Sequence, residues 1–140
     1  MTKRIRNAAF IAAAVVVLNA PAQAPTMKQL MLDLIHPASN EILLSANRGG
    51  PADDKDWASV RHSALTLAES GNLLIAQGPP GQDWANAAKM LAEAGTAAYK
   101  ASQERDAKAL AAVTIRIDAA CTNCHKQYRP NVFPSQTGRQ

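Results

Sequence analysis

Between Met27 and Ile42 the apolar residues recur every three or four positions: Met27, Leu30, Met31, Leu34, Ile35, Ala38 and Ile42. That spacing puts them on one face of a helix, predicted from about Thr26 to Asn47. Pro37 falls inside it, and because the periodicity resumes afterwards a kink is expected rather than a break. "NRGGPADD" then ends the run with Gly49, Gly50 and Pro51. The same spacing returns three times. Trp57, Val60, Ala64, Leu67, Gly71 and Leu74 mark a second helix from about Asp54 to Gln77, with Asp53 or Asp54 as its N-terminal cap and "GPPG" at 78–81 as its stop. Trp84, Ala88, Leu91, Gly95 and Ala98 mark a third, from about Asp83 to Gln103. Leu110, Val113, Ile117, Ala120 and Cys124 mark a fourth, from about Asp106 to Arg129, ended by Pro130. The link between the third and fourth contains neither Gly nor Pro, so that boundary is the least marked.

From Pro25 onward the chain is rich in Ala, Leu, Lys, Gln and Glu and poor in β-branched and aromatic residues, which is helical composition. Four helices of roughly 20 residues with short links favour an all-α fold, an antiparallel up-down-up-down four-helix bundle. "DWA" at 56–58 recurs at 83–85; both are helix starts with acids at the positive dipole end, not an internal repeat. Gly71 and Gly95 stand in mid-helix, where each costs about 1 kcal/mol against Ala. Either two helices pack closely there, or something bulky inside the bundle needs the room.

The first residues follow another pattern. "MTKRIR" is basic, "AAFIAAAVVVL" is an apolar run of about a dozen residues, and Ala22-Gln23-Ala24 is a small-x-small site, the order of a secretory signal peptide over residues 1–24. The apolar run is short of the roughly 20 residues a spanning helix needs, so no stable membrane insertion is expected after cleavage. Export of this kind places the protein in the periplasm. Of the 15 Lys+Arg in the chain, Lys3, Arg4 and Arg6 belong to the leader, leaving 12 against 11 Asp+Glu, a net charge of +1. That balance lacks the clustered basic face of a nucleic-acid binder. The final stretch, "NVFPSQTGRQ" at 131–140, is polar and is expected to be a loose tail.

Both cysteines lie in "AACTNCHKQYRP" at 119–130, as Cys121-Thr122-Asn123-Cys124-His125. A redox dithiol normally opens a helix, where the dipole lowers the thiol pKa, whereas this motif lies at the far end of one. A closed zinc site needs four ligands, and beside the two Cys the chain has only His36, His62 and His125, with no second pair nearby. The remaining reading is covalent haem c. The two thiols add to the two haem vinyl groups, and the adjacent histidine supplies an axial iron ligand. Export agrees with that chemistry.

With "CTNCHKQYR" near the end of the last helix and "MKQLM" at 27–31 near the start of the first, the chain resembles the class II c-type cytochromes, cytochrome c′ and its low-spin relatives, over nearly all of residues 26–130. The resemblance implies a four-helix bundle holding haem through Cys121 and Cys124, with His125 as the fifth iron ligand. In that family the sixth position is either empty or filled by a methionine of the first helix. Basic residues at the same end, here Lys28 and Arg129, would steady the haem propionates, although solvated surface charge explains them as simply. Tyr128 would pack on the haem edge. Relatives often dimerise through their first two helices, so a homodimer is within the family pattern.

In an antiparallel bundle the end of the fourth helix lies level with the start of the first. His125 is about 6 Å from its helix end and Met31 about 8 Å from its helix start, at 1.5 Å per residue. Met27 is one turn further out on the same face. His36 lies about 140° round from Met31 by the 100° helical step, and is expected to point away. A Met on an apolar stripe is often only core. Matching "QLM" to the low-spin relatives favours Met31 as distal ligand, with Met27 as the alternative; an empty sixth site and His36 stay open. His62 is read as a solvated histidine.

A His/Met-ligated haem iron takes and gives one electron, and thioether ligation raises its potential. The expected function is a periplasmic electron carrier, not an enzyme, meeting redox partner proteins transiently. The alternative is a five-coordinate protein of the cytochrome c′ kind binding nitric oxide or carbon monoxide. A peroxidase-like enzyme ranks last, because the first helix offers few distal polar groups beyond His36.

Overall fold

The computed structural model describes residues 24–131. The leader, apart from Ala24, and the tail beyond residue 131 lie outside the described residues. Thr26 begins the first helical segment with a reciprocal cap: its Oγ1 accepts the Gln29 N–H at 3.3 Å, and Gln29 Oε1 accepts the Thr26 N–H at 2.9 Å. α1 (Met27–Gln29) passes into a π-helical stretch (Leu30–Ile35) and then α2 (His36–Asn47). Backbone angles at both junctions stay right-handed helical, so the three pieces form one continuous run. Where a kink at Pro37 was expected, the helix widens ahead of the proline. Pro37 has no N–H with which to continue the four-back pattern, and at the residue before it the His36 N–H bonds to the Met31 carbonyl, five residues back.

α3 (Asp54–Gln77), α4 (Gln82–Glu104) and α5 (Ala107–Tyr128) match the predicted segments to within a residue or so at each end. Asp53, not Asp54, caps α3, its Oδ1 accepting the Asp56 N–H at 2.9 Å; Asp106 caps α5 through the Ala109 N–H, also at 2.9 Å. The weakly marked boundary turns at Arg105, whose φ of 54° is left-handed without glycine. Its guanidinium reaches the Asp54 carboxylate at 2.7 Å, in an exposed pair tying this turn to the start of α3.

The apolar stripes form one shared core. Leu30, Ile42, Val60, Leu67, Leu110 and Ile117 are fully buried, and helices of all four segments pack against one another. Among the described residues there is no strand. Gly71 and Gly95 now have their explanation. A Cβ on Gly71 would lie 2.6 Å from Ala92 Cβ and 2.8 Å from the Ala88 carbonyl; one on Gly95 would lie 2.7 Å from Ala68 Cα. Both glycines let α3 and α4 approach backbone to backbone. As numbers rise along α3 (68, 71, 74) their α4 partners fall (95, 92, 84), so this pair runs in opposite directions.

Candidate cofactor site

One end of the bundle gathers the start of the first segment, the end of α3, the start of α4 and the end of α5. A cleft of about 480 Å³ opens there. Its walls come from Met27, Lys28 and Met31 on the first segment, and Cys124, His125, Tyr128 and Arg129 on or just beyond α5. Gln77, Gly78, Pro79 and Trp84 complete it. A volume of this size lies within the roughly 300–1,000 Å³ of cofactor pockets. Two further clefts adjoin it. A narrow one of about 30 Å³ is lined by both cysteines together with Met31, His125, Leu74 and Leu91. A third, of about 330 Å³, has Met31, Ile35, His36 and Asn40 on one wall and Asp118, Cys121, His125 and Arg129 on the other. Met31 and His125 are the two residues common to all three.

The sequence-level candidates therefore converge. Cys121 and Cys124, one turn apart on α5, are half-buried, as are His125, Met31 and Met27. Met27 lines only the large cleft. Lys28 and Arg129 are exposed at its rim. His62 is exposed and lines a separate shallow groove with Leu65 and Leu73. His36 departs from expectation: in a helix widened by the five-back bond, it lines one cleft together with Met31. A 100° step was the wrong ruler for a π-helical turn.

Trp84 organises the cleft wall. Its Nε1–H donates to the Leu74 carbonyl at 2.7 Å, and its ring meets Tyr128 edge-on with centroids 4.8 Å apart and planes at 80°. The indole lies where a side chain at position 78 would be, so Gly78 is required there. In the sequence "GPPG" reads only as a helix stop and Trp84 only as part of an apolar stripe. The pairing of a Trp in the first turn of one helix with a Gly just past the end of another was the available signal.

The electrostatics follow from burial. Desolvation first, then the Asp118 carboxylate and the Cys124 thiol, push the Cys121 thiol above its ordinary range; desolvation does the same for Cys124. A redox dithiol needs the opposite shift, which a helix N-terminus supplies and this helix end does not. Burial, and then the Arg129 guanidinium, lower the His125 pKa, which favours its neutral imidazole at pH 7. Among the described residues no group of three or more His, Cys, Asp or Glu side chains could hold a metal ion by itself. No family model, curated protein or solved structure matches this chain. The functional reading therefore rests on the residues.

Proposed function

We propose that the chain is a monohaem c-type cytochrome that carries single electrons, with Cys121 and Cys124 holding haem c covalently and His125 and Met31 as its axial ligands. What supports the reading most is that Met31 and His125, from different helical segments, line the same three clefts at the end of the bundle that carries both thiols. The residues fit the group chemically. Two thiols one helical turn apart stand beside a neutral imidazole, a thioether faces the same space, and Met27, Trp84 and Tyr128 give the larger cleft a largely apolar lining.

Haem c, when bound, supplies an iron that cycles between two oxidation states and is favoured as Fe(II) by a thioether ligand. The chain would provide the rest. His125 would give its lone pair from α5, and Met31 its sulfur from the π-helical stretch. The packed core behind them would hold the two donors in place in both oxidation states. Lys28 and Arg129 at the rim would pair with carboxylates. The helix ends gathered around the cleft support an up-down-up-down arrangement, the architecture of the class II cytochromes that the sequence resembles. The leader-like first 24 residues support export to the periplasm, where such a carrier would meet its redox partners in brief encounters. No helix among the described residues is long and apolar enough to cross a membrane.

The test is the optical spectrum of the protein purified from a host able to attach haem c. Sharp low-spin bands, a weak far-red ferric band from methionine ligation and no change on adding carbon monoxide support the carrier. A high-spin ferric spectrum with ready carbon monoxide binding would replace it with the five-coordinate gas-binding alternative.

A further inference from the structure

We infer that His36 is a second axial donor built into this site, an imidazole that takes the coordination position of Met31 when the thioether is lost. The inference rests on the haem reading above and deepens it.

The geometry comes from the π-helical stretch. In a regular α-helix residues 31 and 36 would face apart by about 140°. Here the His36 N–H bonds to the Met31 carbonyl five residues back, and the wider turn narrows that angle. Both then line the 330 Å³ cleft that also contains Cys121 and His125. A cleft presenting a thioether and an imidazole from one element, and a second imidazole from another, offers iron two alternative axial pairs. The only carboxylate on its wall, Asp118, sits on α5 with His125, across the cleft from Met31 and His36. Long π-helical runs are rare, and π-turns cluster at functional positions. Pro37 explains why the four-back pattern stops, but not why six residues are widened.

The backbone of His36 is anchored by a buried neighbour, its ring by an exposed one. The Ser39 hydroxyl donates to the His36 carbonyl at 3.0 Å, and Ser39 is buried. The exposed ring has the Asn40 amide nitrogen 3.3–3.4 Å from its two nitrogens, a neighbour on the same helix and itself exposed. Rotation about the side-chain bonds therefore breaks little. Met31 is the first donor because its half-buried side chain already lies on the apolar stripe, whereas His36 must leave water to bind. Imidazole nitrogen is a good iron ligand once it is there.

The experiment compares haem-loaded wild type with Met31→Leu, His36→Leu and the double variant, with helicity checked by circular dichroism and Met31→Ala as a second removal of the thioether. The spectrum reads ligation, and diethyl pyrocarbonate labelling with peptide mass analysis reads whether the His36 ring is free. His36→Leu alone should match wild type. Met31→Leu should lose the far-red methionine band yet stay low-spin, and His36, labelled in wild type, should lose its labelling. The double variant should turn high-spin and bind carbon monoxide. The inference is overturned if Met31→Leu and Met31→Ala are already high-spin, the double variant is no different and His36 labels equally throughout. A protein that carries no haem at Cys121 and Cys124 overturns the parent reading and this one with it.

Discussion

Trp84 and the Leu74 carbonyl, 2.7 Å apart, tie the start of α4 to the end of α3 at the mouth of the cleft. The same carbonyl also accepts the Gly78 N–H at 2.9 Å. Removing the indole N–H thus weakens a shared acceptor without leaving it unbonded. Trp84→Phe should cost about 1 kcal/mol, the net worth of one hydrogen bond. Gly78→Ala should cost more, roughly 1–3 kcal/mol, because its Cβ would occupy the indole's place. Urea unfolding of the two variants, with the near-ultraviolet circular dichroism of the Trp84–Tyr128 pair, checks the order; equal effects would mean that the indole moves aside freely.

At an exposed mid-helix site, Gly→Ala stabilises by about 1 kcal/mol. At Gly95 the sign should reverse. The new methyl would meet the backbone of Ala68, which cannot rotate out of the way as a side chain can. Gly95→Ala is expected to destabilise by roughly 1–3 kcal/mol, and Gly71→Ala to do likewise. Denaturant midpoints decide this, and a rise at either site would mean that α3 and α4 separate at little cost. Because the collisions lie in the α3–α4 seam, a loaded protein that still folds should keep its wild-type spectrum.

The haem-free chain should be most stable near neutral pH. Folding lowers the His125 pKa, so its contribution is present above the unfolded value of about 6.5 and is lost as pH falls through it. Folding raises both thiol pKa values, so theirs is present below the unfolded value of about 8.5 and is lost as pH rises. Urea midpoints of the reduced chain from pH 5 to 10 read both slopes. Cys121→Ser/Cys124→Ser should flatten the alkaline arm alone, and an unchanged alkaline slope would mean that the thiols do not titrate differently on folding.

Met27 and Met31 share a face, but only Met31 lines all three clefts together with His125. Met27→Leu should therefore leave the far-red methionine band of the loaded protein intact. Loss of that band in this variant would move the distal ligand one turn outward.

Most of the bundle was legible because its signals are local. The stripe Trp57, Val60, Ala64, Leu67, Gly71 and Leu74 is buried throughout, Asp53 caps α3, and Gly49 and Gly50 end α2 at φ of 96° and 105°. Arg105 was harder to see, because a left-handed turn at a non-glycine residue has no sequence mark of its own. The site divided the same way. "CTNCH" is legible as two thiols one turn apart beside a histidine, and the bundle brings Met31 and His125 to the same three clefts. The π-helical stretch was hidden, since Pro37 announces a disturbance without saying whether the helix bends or widens. With it went the placement of His36. The role of Trp84 was hidden for another reason: it depends on a contact with Gly78 that belongs to a turn, not to a stripe.

Everything proposed for this site depends on Cys121 and Cys124 holding a haem beside His125. Mass analysis of the tryptic peptide containing residues 121–125, from protein made in a host that attaches haem c, tests it most directly. That peptide should carry one haem through two thioether bonds, retain it after acid–acetone extraction, and lose it in Cys121→Ser/Cys124→Ser. Recovery of the peptide with two unmodified thiols or an internal disulfide, from a host that attaches haem to another c-type cytochrome in the same preparation, would contradict it.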